Sequence, residues 1–135
     1  MSYDGGKTFV VIHQELKYCF YTAAPSAGGQ GTVRNYTFTL PSSLPGSDHA
    51  VFAWSWVNAS GNREFYHNCA DITIIGSAGS YTGKQMTIAN YGAGYPAIPE
   101  FLGNYNVGLS YYTTNTTRAA QGPPLPLPLL PQLNQ

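Results

Sequence analysis

Two runs of strand-forming residues, separated by a polar break, dominate the stretch from Ala50 to Ile75 (AVFAWSWVNASGNREFYHNCADITII). In the first run Phe52, Trp54 and Trp56 fall on one side, with Val51, Ala53, Ser55 and Val57 on the other. In the second, Glu64, Tyr66, Asn68, Ala70, Ile72 and Ile74 share a side, opposite Phe65, His67, Cys69 and Thr73. A period of two marks β-strands, because successive side chains leave a strand on opposite faces. The break, Asn58-Ala59-Ser60-Gly61-Asn62, consists of turn formers and predicts a hairpin or a longer β-β connection. The same alternation sends Glu64 and Tyr66 in one direction, so a carboxylate and a phenol can meet at one site.

Weaker patterns flank this pair. Lys7 to Leu16 alternates, with Phe9, Val11 and His13 opposite Val10, Ile12 and Gln14, and predicts a strand covered on both faces. Thr32 to Leu40 predicts another, and Lys84 to Asn90 a shorter one. Cys19 to Gln30 and Pro41 to Asp48 carry the Pro, Gly and Ser of loops. Gly76 to Gly83 also reads as loop, Tyr91 to Gly108 as a long irregular segment, and Leu109 to Thr117 as an extended edge. No segment has the periodicity of a helix. Short strands separated by turns predict an all-β fold, an antiparallel β-sandwich. Gly122 to Gln135 (GPPLPLPLLPQLNQ) departs from the pattern. Proline this dense removes the N–H groups that sheets and helices need, so polyproline II or disorder is expected, as a linker or as a ligand for a proline-binding module.

Composition narrows the function classes. At 135 residues the chain makes one domain, 1–120, followed by the Pro/Leu-rich tail, 121–135. Six Lys and Arg balance six Asp and Glu, which does not supply the basic surface of a nucleic-acid binder. No run is long and apolar enough to span a membrane. The opening MSYDGGKTFV has neither the basic start nor the apolar core of a signal peptide. Yet two cysteines, Cys19 and Cys69, and three sequons, at Asn35, Asn58 and Asn115, fit a secreted glycoprotein. A Cys19–Cys69 bridge would close about fifty residues and stabilise by roughly 4 kcal/mol in the chain-entropy model. The eleven tyrosines fit strands, and some could instead form a flat surface for sugar rings.

Three segments, SYDGGKTFVVIH, YTFTLP and HAVFAWSWVNASGNREFYHNCADITI, together resemble the later half of the fungal lytic polysaccharide monooxygenases of the chitin-active ascomycete type. The likeness runs from Ser2 to about Gly76. A fainter echo follows in IANYGAG, where the family carries a Gly/Asn turn ending in cysteine and this chain has Tyr95 nearby. The resemblance implies an immunoglobulin-like or fibronectin-like sandwich, here without its earlier strands. It also implies copper held by a histidine brace, secretion, and oxidative cleavage of chitin or a related polysaccharide. Tyr66 matches the axial tyrosine of the copper site, a placement that suits tetragonal Cu(II). Glu64 matches the residue that hydrogen-bonds the activated oxygen, and Arg63 a motif position without an assigned role.

Neither brace histidine has a counterpart in this chain. His67 alternates away from Tyr66, and His13 and His49 lie in other segments, so the sequence predicts that the chain alone does not bind copper. Three readings follow. One is a monooxygenase that acts only when the missing ligands are supplied. Another is a non-catalytic relative that keeps the scaffold and its polysaccharide affinity. The last is a secreted structural glycoprotein or a fragment from an incomplete gene model. For Glu64 and Tyr66, the alternative to a catalytic pair is a buried hydrogen-bonded pair at a sheet edge. A sandwich lacking strands has open edges, which predicts marginal stability and self-association.

Overall fold

The computed structural model describes residues 1–25, 30–62, 64–77, 79–114 and 117–123. Its regular elements are almost all β. Strand β1 spans Ser47–Val57 and β2 Phe65–Ile74, and they pair antiparallel as one two-stranded sheet. Strand β3, Ser80–Lys84, pairs antiparallel with β4, Thr117–Gln121, as a second. Between β3 and β4 lies one short helix, α1, Leu109–Thr113. Antiparallel pairing in two separate sheets is in keeping with the expected sandwich class.

The β1–β2 hairpin forms where the alternation predicts it. Trp56 stands opposite Tyr66, Trp54 opposite Asn68 and Val57 opposite Phe65. One irregularity, between Ser47 and Ala50, shifts the register at the far end of β1. The core gathers there, with Met1, Val10, Ala50 and Ile74 buried together and Phe52, Ile72 and Tyr81 packed against them.

The first ten residues join the two sheets. Ser2 and Val51 exchange backbone hydrogen bonds of 2.9 Å on the free side of β1. Gly5 and Gly6, at φ 70° and 83°, then turn the chain back through a conformation that favours glycine. Inside this turn Ser2 Oγ accepts from the Gly6 N–H at 3.0 Å and Asp4 Oδ1 from the Thr8 N–H at 2.9 Å. The returning chain crosses the end of β3, where the Val11 N–H donates to Lys84 O at 2.7 Å and the Met86 N–H to Phe9 O at 3.1 Å. Glycine is required at that crossing. A Cβ on Gly83 would lie 2.8 Å from Val10 Cγ2 and 2.8 Å from Val11 O.

Several expected elements differ. The strand predicted over Lys7–Leu16 is reduced to a single bridge, Val10 with Gln85, because the glycine turn spends its first half on the return from Ser2. Thr32–Leu40 is not a strand. Its described backbone bonds are two, from the Thr32 and Val33 N–H groups to Phe20 O, and a strand needs a neighbour along its length. The strand expected over Lys84–Asn90 is not there: β3 covers Ser80–Lys84, inside the predicted loop, and beyond it Gln85 makes only a bridge to Val10. Leu109–Thr117 is not an extended edge. Gly108, at φ 79°, starts the α1 turn over Leu109–Thr113, and Thr117 is the first residue of β4. The Pro/Leu-rich tail from residue 124 onwards lies outside the described residues.

Candidate functional site

The turn end of the hairpin brings the predicted pair together. Glu64 immediately precedes β2, and Tyr66 is its second residue. Tyr66 lies flat against Trp56, its partner in register, with ring centroids 4.4 Å apart and planes 13° apart. Trp54 continues the stack at 6.3 Å, and Phe20 meets Trp54 and Trp56 edge-on at 5.8 and 5.1 Å. With its ring held this way, the Tyr66 hydroxyl donates to the Glu64 carboxylate. That hydrogen bond, followed by desolvation and the carboxylate's charge, raises the Tyr66 pKa and keeps the phenol protonated. Glu64 is exposed and Tyr66 half-exposed, so the pair is hydrogen-bonded but not buried. It is an accessible acceptor and donor on a fixed aromatic base.

Imidazoles do not join it. His67 leaves β2 on the other face, opposite Ser55. There it stacks on Phe65 at 5.6 Å, receives the edge of Phe9 at 5.3 Å and has Nε2 3.0 Å from Cys69 Sγ. Burial, and then the nearby positive amino terminus, lower its pKa, so the ring is neutral at pH 7. His13 stacks on Phe38 at 4.7 Å and pairs with Glu15 at 2.9 Å. His49 lies 3.5 Å from Asp71. Among the described residues no group of three or more His, Cys, Asp or Glu side chains could hold a metal ion.

Over 110 residues the chain is 37% identical to AA11 family lytic polysaccharide monooxygenase A of Aspergillus fumigatus, covering 82% of this chain and 41% of that protein. It matches the fungal lytic polysaccharide monooxygenases in part. It is also 36% identical over 73 residues to an AA11 family lytic polysaccharide monooxygenase of Aspergillus oryzae, and 29% identical over 75 residues to monooxygenase B of Aspergillus fumigatus. Each of those two matches covers 53% of this chain and 17% of the relative. The chain therefore spans less than half the length of the curated relatives it matches. No family model matches it, and no solved structure does. The first match covers more of the chain than the stretch from Ser2 to Gly76 that carried the resemblance.

The other residues singled out by the monooxygenase resemblance fall as follows. Cys19 and Cys69 are both free, which corrects the expected bridge. They have different surroundings. Cys69 is exposed beside His67 on the second face of β2, whereas Cys19 is half-buried, within electrostatic reach of Tyr36 and Tyr112. Burial raises the Cys19 thiol pKa, so it is held as a thiol. Asn35 is exposed. Asn58 is half-buried, with its Nδ2 donating to Ser60 O at 2.7 Å. Asn115 and Arg63 lie outside the described residues. No helix among the described residues is long and apolar enough to cross a membrane.

Sequence reasoning missed the segment that closes the hairpin turn. Glu100 accepts from the Gly61 N–H at 3.0 Å, and the Phe101 N–H donates to Ala59 O at 3.0 Å. Thirty-nine residues separate Glu100 from Gly61, and no local pattern announces such a contact.

Proposed function

We propose that this chain is a secreted, lytic polysaccharide monooxygenase-like segment. It carries the carboxylate–phenol side of a polysaccharide-oxidising site and binds a neutral polysaccharide of the chitin class. Without further nitrogen donors it does not hold copper. The observation that carries this reading is the hydrogen bond between Glu64 and Tyr66, on residues that the resemblance assigns to the axial and oxygen-facing positions. A brace needs two imidazoles and an amine converging on the axial phenol. The three histidines here are engaged elsewhere, so the residues present do not fit the metal. No step of copper chemistry is assigned to them. What this chain contributes is orientation: the Trp56 stack fixes the phenol, and the phenol fixes the carboxylate.

Copper titration followed by calorimetry and electron paramagnetic resonance, with retention on insoluble chitin and cellulose, tests the reading. Retention without stoichiometric Cu(II) binding is expected. A tight one-to-one cupric signal would overturn the proposed lack of nitrogen donors. Absence of retention on both polymers would overturn the polysaccharide reading.

A further inference from the structure

The most exposed tyrosine in the described chain belongs to a loop that the carboxylate–phenol pair does not use. Tyr91 is 68% exposed and Tyr95 43%. Their rings meet edge to face at 5.5 Å, and Tyr91 meets the ring of Phe65 at 6.5 Å. Phe65 leaves β2 on the His67 side, opposite Tyr66, so the loop packs at the turn end of the hairpin on the face away from the pair. Buried Ala89 and Ile98 anchor the loop on either side. Its neck is closed by the Asn90 N–H donating to Pro96 O at 2.9 Å and by Asn90 Oδ1 accepting from the Ile98 N–H at 2.7 Å. Asn90, Gly92 and Gly94 take φ values of 55°, 121° and 90°, which other residues rarely adopt. Ends this close, tied by their own hydrogen bonds, make a compact loop whose shape does not depend on a ligand. The Glu100 and Phe101 bonds to the hairpin turn fix the following segment to the same end of the molecule.

We propose that the Tyr91–Tyr95 loop is a contact surface for a neutral polysaccharide, at the same end of the hairpin as the Glu64–Tyr66 pair but on its other face. This rests on the polysaccharide reading above and names residues for it. Between Ala89 and Pro99 there is no Asp, Glu, Lys or Arg, so the loop offers no charge to an acidic or basic polymer. It offers ring faces for the C–H faces of sugars and phenol hydroxyls for their hydroxyls. A preset loop loses little entropy on binding, which suits a weak, repeated contact. Trp56 is a poorer surface, with one face on Tyr66 and the edge of Phe20 against it, and Trp54, 43% exposed, also meets the edge of Phe20.

Depletion isotherms of the full chain on insoluble chitin and cellulose decide this. Tyr91→Ala/Tyr95→Ala should weaken retention about tenfold, a loss near the combined value of two aromatic contacts. Tyr91→Phe/Tyr95→Phe keeps the ring faces and should stay within about threefold of the parent, the remaining loss being that of the hydroxyls. Tyr36→Ala, an exposed tyrosine on another segment, should change nothing. Parental retention by the double alanine variant, with an unchanged melting temperature, overturns the proposal. If that variant melts early, Tyr91→Ala alone decides on the same criterion. Should the parent bind neither polymer, the polysaccharide reading fails and this inference with it; should the parent bind and the alanine variant bind equally, this inference alone fails.

Discussion

Gly83→Ala tests the crossing that ties the amino-terminal segment to the second sheet. The added methyl would lie 2.7 Å from Tyr81 Cε1, 2.8 Å from Val10 Cγ2 and 2.8 Å from Val11 O. All three distances are well inside van der Waals contact, and one is to backbone. That carbonyl cannot retreat cheaply. It accepts from the Tyr81 hydroxyl at 3.2 Å, and the N–H of its own residue donates to Lys84 O at 2.7 Å. Overpacking of this kind costs about 1–3 kcal/mol. Replacing glycine in a strand returns about 0.5–1 kcal/mol of backbone entropy. The net expectation is a destabilisation of about 1–2 kcal/mol, read from urea unfolding followed by tryptophan fluorescence. In a Val10→Ala background one of the clashes disappears, so the same substitution should cost less there. A neutral or stabilising Gly83→Ala, or an identical cost in both backgrounds, would show that Val10 and Val11 do not lie across Gly83.

The remaining expectations concern charge and modification. Glu64→Ala removes the acceptor that raises the Tyr66 pKa, so the phenol should titrate lower, towards its ordinary 10.0, in a carbon-13 NMR titration of the ζ carbon; an unchanged titration would mean the pair does not bond. For Asp4, burial alone would raise the pKa, but hydrogen bonds from Thr8, Ser2 and the Lys7 backbone outweigh it and hold the carboxyl at about 2, against an ordinary 3.8. Because the folded value is depressed, this stabilisation is complete above pH 4 and is lost as pH falls through about 2. Asp4 is exposed, so solvent screening limits the effect to less than about 1 kcal/mol, and Asp4→Asn should flatten acid unfolding in that window. Expressed through a fungal secretory route, the chain should carry glycan at exposed Asn35 in preference to Asn58, whose amide is already bonded to Ser60 O. Intact-mass measurement of Asn35→Gln and Asn58→Gln checks this, and a larger loss from Asn58→Gln would contradict it. Among the described residues β2 pairs only with β1, so sedimentation should show concentration-dependent association through its open edge.

The hairpin was legible in the sequence because both of its strands announce themselves and are each other's partner. Alternation put Trp56 on one face of the first strand and Tyr66 on one face of the second, and the register sets the two opposite one another. It also sent Glu64 and Tyr66 in one direction, and the Glu64 carboxylate acts on the Tyr66 phenol. The same signal misled over Thr32–Leu40. Alternation reports what a segment would do beside a neighbouring strand, not whether one is there, and this segment's described backbone bonds go only to Phe20. At Gly5 and Gly6 the conformation of two glycines overrode the alternation that follows. Closure of the hairpin turn by Glu100 and Phe101, and with it the position of Tyr91, depends on contacts made across dozens of residues.

Face parity also decides what this hairpin can contribute to a metal site. His67 is the nearest imidazole to Tyr66 in sequence, one residue away, and on a strand one residue is the largest angular separation available. The pairing of Trp56 with Tyr66 and of Ser55 with His67 fixes that parity. A slip of one residue would bring His67 round, but it would carry every other β2 side chain to the opposite face. Ile72 and Ile74 would leave the core they share with Ala50, and Tyr66 would leave the Trp56 stack. Several buried contacts would be lost to gain one nitrogen donor, so the register is stable against that exchange. A copper ion at Tyr66 would therefore need nitrogen ligands other than His67; His13 is held by Phe38 and Glu15, and His49, in β1, lies beside Asp71.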